Sequence, residues 1–277
     1  MMSKNDKKEN IFNLDGHTYR YFLIILLLSL FCFFVIGPVL SLLLQTTNSS
    51  LNYILIYSPF LLFLLIFTVL WCKVLKQPLG LLFSPFYSWR KALFIMVAIS
   101  YLVLLFINDF IFDKAYTANG FNPLMLLSLL LIPFQTLAEE VIFRVSPLII
   151  ASRFDLNKKS VKTILILLSG VLFALMHLSN PEIAHPLIIL YYLFWGLFTM
   201  AITLYTKGIE ITYALHLVNN LFITIVMNYP GSALPQTSFF TKMSFPNTYN
   251  LLIFEVISFL LITLESKGFI NGQKENH

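Results

Sequence analysis

From residue 21 onward the chain alternates long apolar runs with short polar turns. A helix of about 20 apolar residues crosses the hydrocarbon core of a bilayer. Eight such runs can be placed, at about 21–44, 53–72, 92–112, 124–152, 161–178, 187–205, 209–227 and 250–265. The fourth is over-long and holds Pro133 and Pro147, which predict kinks. The seventh is less apolar than the rest, so its polar residues must turn toward protein or water. The first run, Tyr21 to Leu44, is too long for a signal-peptide core and is read as a retained helix behind a polar head, Met1 to Arg20. The pattern predicts an all-α polytopic membrane helical bundle of about eight transmembrane helices, with no internal repeat and no separate soluble domain.

The loop charges support that count. Lys4, Lys7, Lys8, Arg20, Lys73, Lys76, Arg90, Lys91, Arg153, Lys158, Lys159, Lys162, Lys207, Lys267 and Lys274 all fall on one side of such a bundle. Only Lys114 and Lys242 fall on the other. This asymmetry satisfies the positive-inside rule with both termini cytoplasmic. Trp71 and Trp89 flank the second cytoplasmic loop as interfacial aromatics do. The chain then divides into a cytoplasmic tail at 1–20, N-terminal transmembrane helices at 21–123, a catalytic membrane core at 124–227, and an outer loop, last helix and cytoplasmic tail at 228–277.

Composition agrees. Of 277 residues, 58% are hydrophobic and 11% charged, against about 25% charged in soluble domains. The lipid bilayer is therefore the main solvent. The net charge of +5 is scattered between apolar runs, with no glycine-rich phosphate loop and no basic stripe, which argues against a nucleic-acid partner. Cys32 and Cys72 each stand alone in an apolar run and read as packing residues.

Candidate chemistry sits in three of the later runs. Leu137-Ala138-Glu139-Glu140-Val141-Ile142-Phe143-Arg144 puts three charges into the fourth. Each costs about 2.5–3.5 kcal/mol at membrane depth by insertion scales, so such residues face the bundle interior and pair. Glu140 and Arg144 are four apart and share a helix face. Glu139 points about 100° away and has no local cation. Taken alone, this segment fits a buried ion cluster that only fixes helix packing as well as it fits a functional site. The fifth run adds Phe173-x-x-x-His177 and the seventh His216-x-x-x-Asn220, each pair on one helix face. A lone membrane histidine is usually a satisfied hydrogen-bonding residue. Two histidines, two carboxylates, an arginine and an asparagine on three helices also supply a general base, imidazoles and amide donors for an oxyanion. Asn108, Asp109, Asp113 and Glu255 lie near outer helix ends, where interfacial placement explains them, and His185 is read as a solvated loop residue.

The ordered set Glu139-Glu140-x-x-x-Arg144, Phe173-x-x-x-His177 and His216-x-x-x-Asn220 resembles the three motifs of the CPBP family. That family comprises type II CAAX prenyl endopeptidases and bacterial proteins tied to bacteriocin processing and immunity. The resemblance covers roughly residues 124 to 227. It implies an intramembrane endopeptidase in which Glu139 and His177 activate a water, while His216 and Asn220 stabilise the oxyanion. Glu140, Arg144 and Phe173 then orient the site. Zinc held by Glu139, His177 and His216 is the alternative, but asparagine is not a usual zinc ligand and no His-Glu-x-x-His helix exists, so a metal-free glutamate mechanism is favoured. The implied partner is a membrane-embedded or membrane-associated peptide, lipopeptide or CAAX-like substrate, in a multi-pass protein of a bacterial plasma membrane. Rival readings are a non-catalytic scaffold or bacteriocin-immunity protein, and a proton-coupled transporter. By run position, Glu139 should lie near mid-membrane, His216 nearer the cytoplasm and His177 nearer the outside.

The loop charges yield a test. In a background lacking Cys32 and Cys72, a cysteine replacing Lys159 should react with an impermeant thiol reagent only after the cells are opened. Labelling on intact cells would overturn the eight-span topology.

Overall fold

The structure is a computed structural model that describes residues 16–44, 46–83, 89–112, 115–185 and 187–275. The polar head up to Asp15 lies outside the described residues, and with it the lysines at 4, 7 and 8. So do Asp113, Lys114 and the segment 84–88. Eight long helices follow the eight apolar runs: α1 Thr18–Leu43, α2 Ser49–Lys73, α3 Lys91–Phe112, α4 Leu124–Ala151, α5 Lys159–Met176, α6 Ile188–Thr206, α7 Glu210–Val226 and α8 Thr248–Glu275. Among the described residues, α1 to α6 are each long and apolar enough to cross a membrane, whereas α7 is a shorter apolar helix.

The connection after α7 holds a feature that the apolar runs do not announce. Three short strands, β1 Tyr116–Ala118, β2 Met227–Asn228 and β3 Phe240–Lys242, form one sheet in the order β1-β3-β2. β3 pairs antiparallel with β1 and parallel with β2. The 228–247 segment is thereby fastened to the ends of α3 and α7.

Backbone polar groups cannot be left unpaired in lipid, so each helix-interior proline needs a substitute donor for the carbonyl it abandons. Pro59 in α2 removes the amide that would serve Leu55. The hydroxyls of Ser41, on α1, and Ser58 donate to that carbonyl at 2.6 and 2.8 Å. A Cβ on Gly37 of α1 would stand 2.6 Å from the Pro59 Cα, so the absence of a side chain there lets the two helices meet at this point. Pro147 likewise removes the donor for Phe143, and Ser169 on α5 donates to that carbonyl at 3.0 Å. The irregularity predicted for α4 accordingly falls ahead of Pro147, as a wide π turn over Val141–Val145 that carries Arg144. Such turns recur at functional sites.

Helices α5 and α6 approach closely at Gly170 and Gly196. A Cβ on Gly196 would lie 2.8 Å from both the Gly170 Cα and the Phe173 Cβ. Small residues at a membrane-helix interface allow such contact. At the start of α7, Glu210 receives the Arg90 side chain, with Arg90 Nη2 at 2.8 Å and Nε at 3.0 Å. That paired fork fixes α7 to the start of α3.

Substitution of Gly196 by alanine should therefore destabilise the protein by about 1–3 kcal/mol, the usual cost of overpacking. Gly80, which has open space around it, provides the control: Gly80→Ala should leave the melting temperature in detergent nearly unchanged. Equal melting temperatures for both variants would contradict the close α5–α6 contact.

Candidate active site

The four residues assigned to catalysis, Glu139, His177, His216 and Asn220, line one cavity of about 370 Å³ inside the bundle. They come from α4, the end of α5, and α7. Glu139, His216 and Asn220 are buried, and Glu140 and Arg144 are fully so.

Glu139 is held by a residue that sequence reasoning missed. Gln135, one turn earlier on α4, donates through Nε2 to Glu139 Oε1 at 2.8 Å, and its Oε1 accepts from Asn220 Nδ2 at 3.3 Å. The spacing of four was visible in the chain, but an amide in an apolar run carries no chemistry by itself. Among the described residues Glu139 pairs with no cation on its own helix, and its second neighbour comes from α7. His216 lies between the two glutamates, with Nδ1 2.9 Å from Glu140 Oε1 and Nε2 3.5 Å from Glu139 Oε2. A partner on another helix cannot be read from spacing along α4.

Glu140 and Arg144 do meet, at 3.4 Å. Because Arg144 sits in the wide turn, its guanidinium is shared. Nε and Nη2 donate to Thr199 Oγ1 on α6 at 3.2 and 2.5 Å. The guanidinium carbon also lies 4.8 Å from the Phe173 ring centroid, a cation–π contact. Phe173 thus supports the arginine while its own ring touches His177, at 4.3 Å between centroids, and His216, at 6.1 Å.

His177 is the first residue beyond α5. Its Nδ1 lies 2.7 Å from the Phe173 carbonyl, and its ring stacks on Tyr192 at 4.2 Å. A carbonyl oxygen only accepts, so Nδ1 carries the proton and Nε2 is left as the acceptor. The difference in depth expected between His177 and His216 is bridged by this geometry. The imidazole folds back along α5 toward Phe173, as helix side chains lean toward the N-terminus, and Phe173 spans the remainder.

The zinc alternative can be set against these contacts. Among the described residues, no three His, Cys, Asp or Glu are grouped so that they could hold a metal ion. Each of His216 and His177 keeps Nδ1 on a carboxylate or a carbonyl, which leaves Nε2 to face other partners.

Three residues expected at interfaces or in solvent are placed differently. Asp109 is buried and paired with buried Lys242 at 2.9 Å. Glu255 is 2% exposed and accepts from Tyr101 Oη at 2.8 Å and Tyr191 Oη at 3.4 Å. His185 is half-buried, stacked on Phe245 with centroids 3.5 Å apart. All three depend on the 228–247 segment or on α8, which carry no motif. Near them, Glu182 accepts from Tyr192 Oη at 2.5 Å, Tyr229 Oη at 3.0 Å and the Ala233 amide at 2.9 Å. Burial first, and then the Glu182 carboxylate, push the Tyr229 hydroxyl well above the ordinary phenol range, so it stays a donor.

Residues 121–222 match the family model described as Type II CAAX prenyl endopeptidase Rce1-like. The chain is also similar to the "Uncharacterized protein YyaK" of Bacillus subtilis (strain 168), 28% identical over 170 residues. That match covers 57% of this chain and 56% of the relative, so the chain spans a little over half the length of the curated protein it matches. No solved structure matches the chain. The family match contains all three motifs, around Glu139, His177 and His216, so this part of the chain is similar to the type II CAAX prenyl endopeptidases.

Proposed function

We propose that this multi-pass membrane protein is an intramembrane endopeptidase that hydrolyses a peptide bond in a membrane-associated peptide or lipopeptide through a water activated by Glu139 and His177. The supporting observation is that Glu139, His177, His216 and Asn220 share one buried cavity. Glu139 and His177 Nε2 are both acceptors, so each can take one hydrogen of a water and turn its lone pairs toward a carbonyl carbon. Attack forms the C–O bond and transfers a proton to Glu139. The carbonyl oxygen gains negative charge, which the Asn220 amide stabilises by donation, as does His216 when its Nε2 also carries a proton. Glu139 then returns the proton to the leaving nitrogen as the C–N bond breaks, giving a carboxylic acid and an amine. Glu140 orients His216 through Nδ1, and Arg144 balances the Glu140 charge. A bacterial plasma membrane is the setting we assign, with the substrate reaching the cavity between apolar helices or from the cytoplasm.

Membrane peptides from cells carrying the wild type or Glu139→Gln should differ in mass spectra by products present only with the wild type. Identical peptide profiles, with both proteins inserted at equal levels, would favour the scaffold reading.

The two glutamates should separate in stability. Glu140→Gln leaves Arg144 buried without its carboxylate, and breaking a buried pair from one side costs about 3–5 kcal/mol. This variant should lose folded protein as well as activity. Glu139→Gln keeps the Gln135 contact within reach and should melt close to the wild type while losing hydrolysis. Arg144→Met combined with Glu140→Gln should recover part of the stability. Melting temperatures in detergent beside cleavage rates decide this, and a stable, active Glu140→Gln with an unstable Glu139→Gln would reverse the roles.

A further inference from the structure

The cavity continues past the proposed catalytic groups to α8, and its wall is acidic. Asp109, Glu139, Glu182 and Glu255 line it, against a single lysine, Lys242. Asp109 pairs with Lys242, Glu182 receives three donors, and Glu139 receives Gln135 on Oε1 while its Oε2 meets only the His216 ring, at 3.5 Å. Glu255 differs. Tyr101 and Tyr191 both donate to its Oε1, while the buried Oε2 has no hydrogen-bond partner among the described residues. Two donors on one oxygen are what a carboxylate accepts, and a half-served carboxylate at membrane depth calls for a further donor.

The surroundings of Glu255 narrow the chemistry of that donor. The two phenols that hold Oε1 belong to aromatic pairs, Tyr101 with Phe254 at 6.3 Å and Tyr191 with Trp195 at 6.1 Å. A desolvated carboxylate with one oxygen unserved is met best by a charged donor. Among the described residues Trp195 also has an unpartnered buried Nε1, and its ring stands 6.1 Å from His216. The wall carrying Glu255 is therefore continuous with the proposed catalytic centre. An indole N–H is a donor only, and it fits a peptide carbonyl.

We propose that Glu255 forms a recognition subsite for a positively charged side chain of the peptide substrate, the ammonium of lysine or the guanidinium of arginine, with Trp195 Nε1 donating to a neighbouring peptide carbonyl. The identification of the ligand as a substrate rests on the peptidase reading, whereas its cationic character rests on Glu255 and the cavity wall. Glu255 acts on selectivity and touches none of the reacting atoms.

The test separates binding from turnover. Full-length Glu139→Gln protein in lipid nanodiscs is titrated with fluorescein-labelled decapeptides in which lysine replaces norleucine at each position in turn. At one position lysine should bind about tenfold tighter or more, the scale of a close, desolvated charge pair. Adding Glu255→Gln, with the melting temperature checked, should abolish that preference. Equal binding of lysine and norleucine peptides at every position would overturn the proposal, as would an unchanged preference in Glu255→Gln. The wild type is assayed for cleavage of the same peptides. A lysine preference in binding without any cleavage would overturn the peptidase reading and leave the cation subsite standing.

Discussion

The contact of His216 with Glu140, which Arg144 backs, is the one on which the rest of the core depends. Two adjacent carboxylates inside a hydrocarbon slab repel each other and cost solvation that no water returns. The imidazole on α7 meets both, and Arg144 and Thr199 extend the arrangement to α6. For His216 to stand there, α7 must be short, held at its start by Arg90 and Glu210, and pressed into the bundle by its neighbours. The close α5–α6 contact at Gly170 and Gly196 then brings Phe173 beneath Arg144 and beside both histidines. Polar pairing inside lipid and close helix packing are thus one requirement seen from two directions.

Much of this was legible because lipid simplifies the code. A helix that must satisfy its own backbone shows its length in its apolar run, so all eight helices could be placed from hydropathy alone. The three motifs were equally visible, since a charge in such a run has few reasons to be there. The pairing of Glu140 with Arg144 followed from a spacing of four. What escaped were contacts between helices. Gln135 and Thr199 are ordinary polar residues until a glutamate or an arginine turns out to need them. Asp109 and Glu255 read as interfacial because they lie near the ends of their runs. Their partners, Lys242, Tyr101 and Tyr191, come from segments distant in the chain.

The segment between α7 and α8 reads in the sequence as a loop, and its strands are too short to announce themselves by alternation. Two or three residues give no period to detect. Their register is set by the neighbours that β3 finds on either side.

Tyr192 has two loyalties. Its ring is the platform beneath His177, and its hydroxyl ends on Glu182, the same carboxylate that receives Tyr229 and the Ala233 amide from the segment after α7. One rigid phenol therefore connects a connecting segment to an imidazole in the cavity. A molecule that grips the chain around Tyr229 and Ala233 would pull on the seat of that imidazole, so an antibody fragment raised against this segment would act at a distance on chemistry it never reaches.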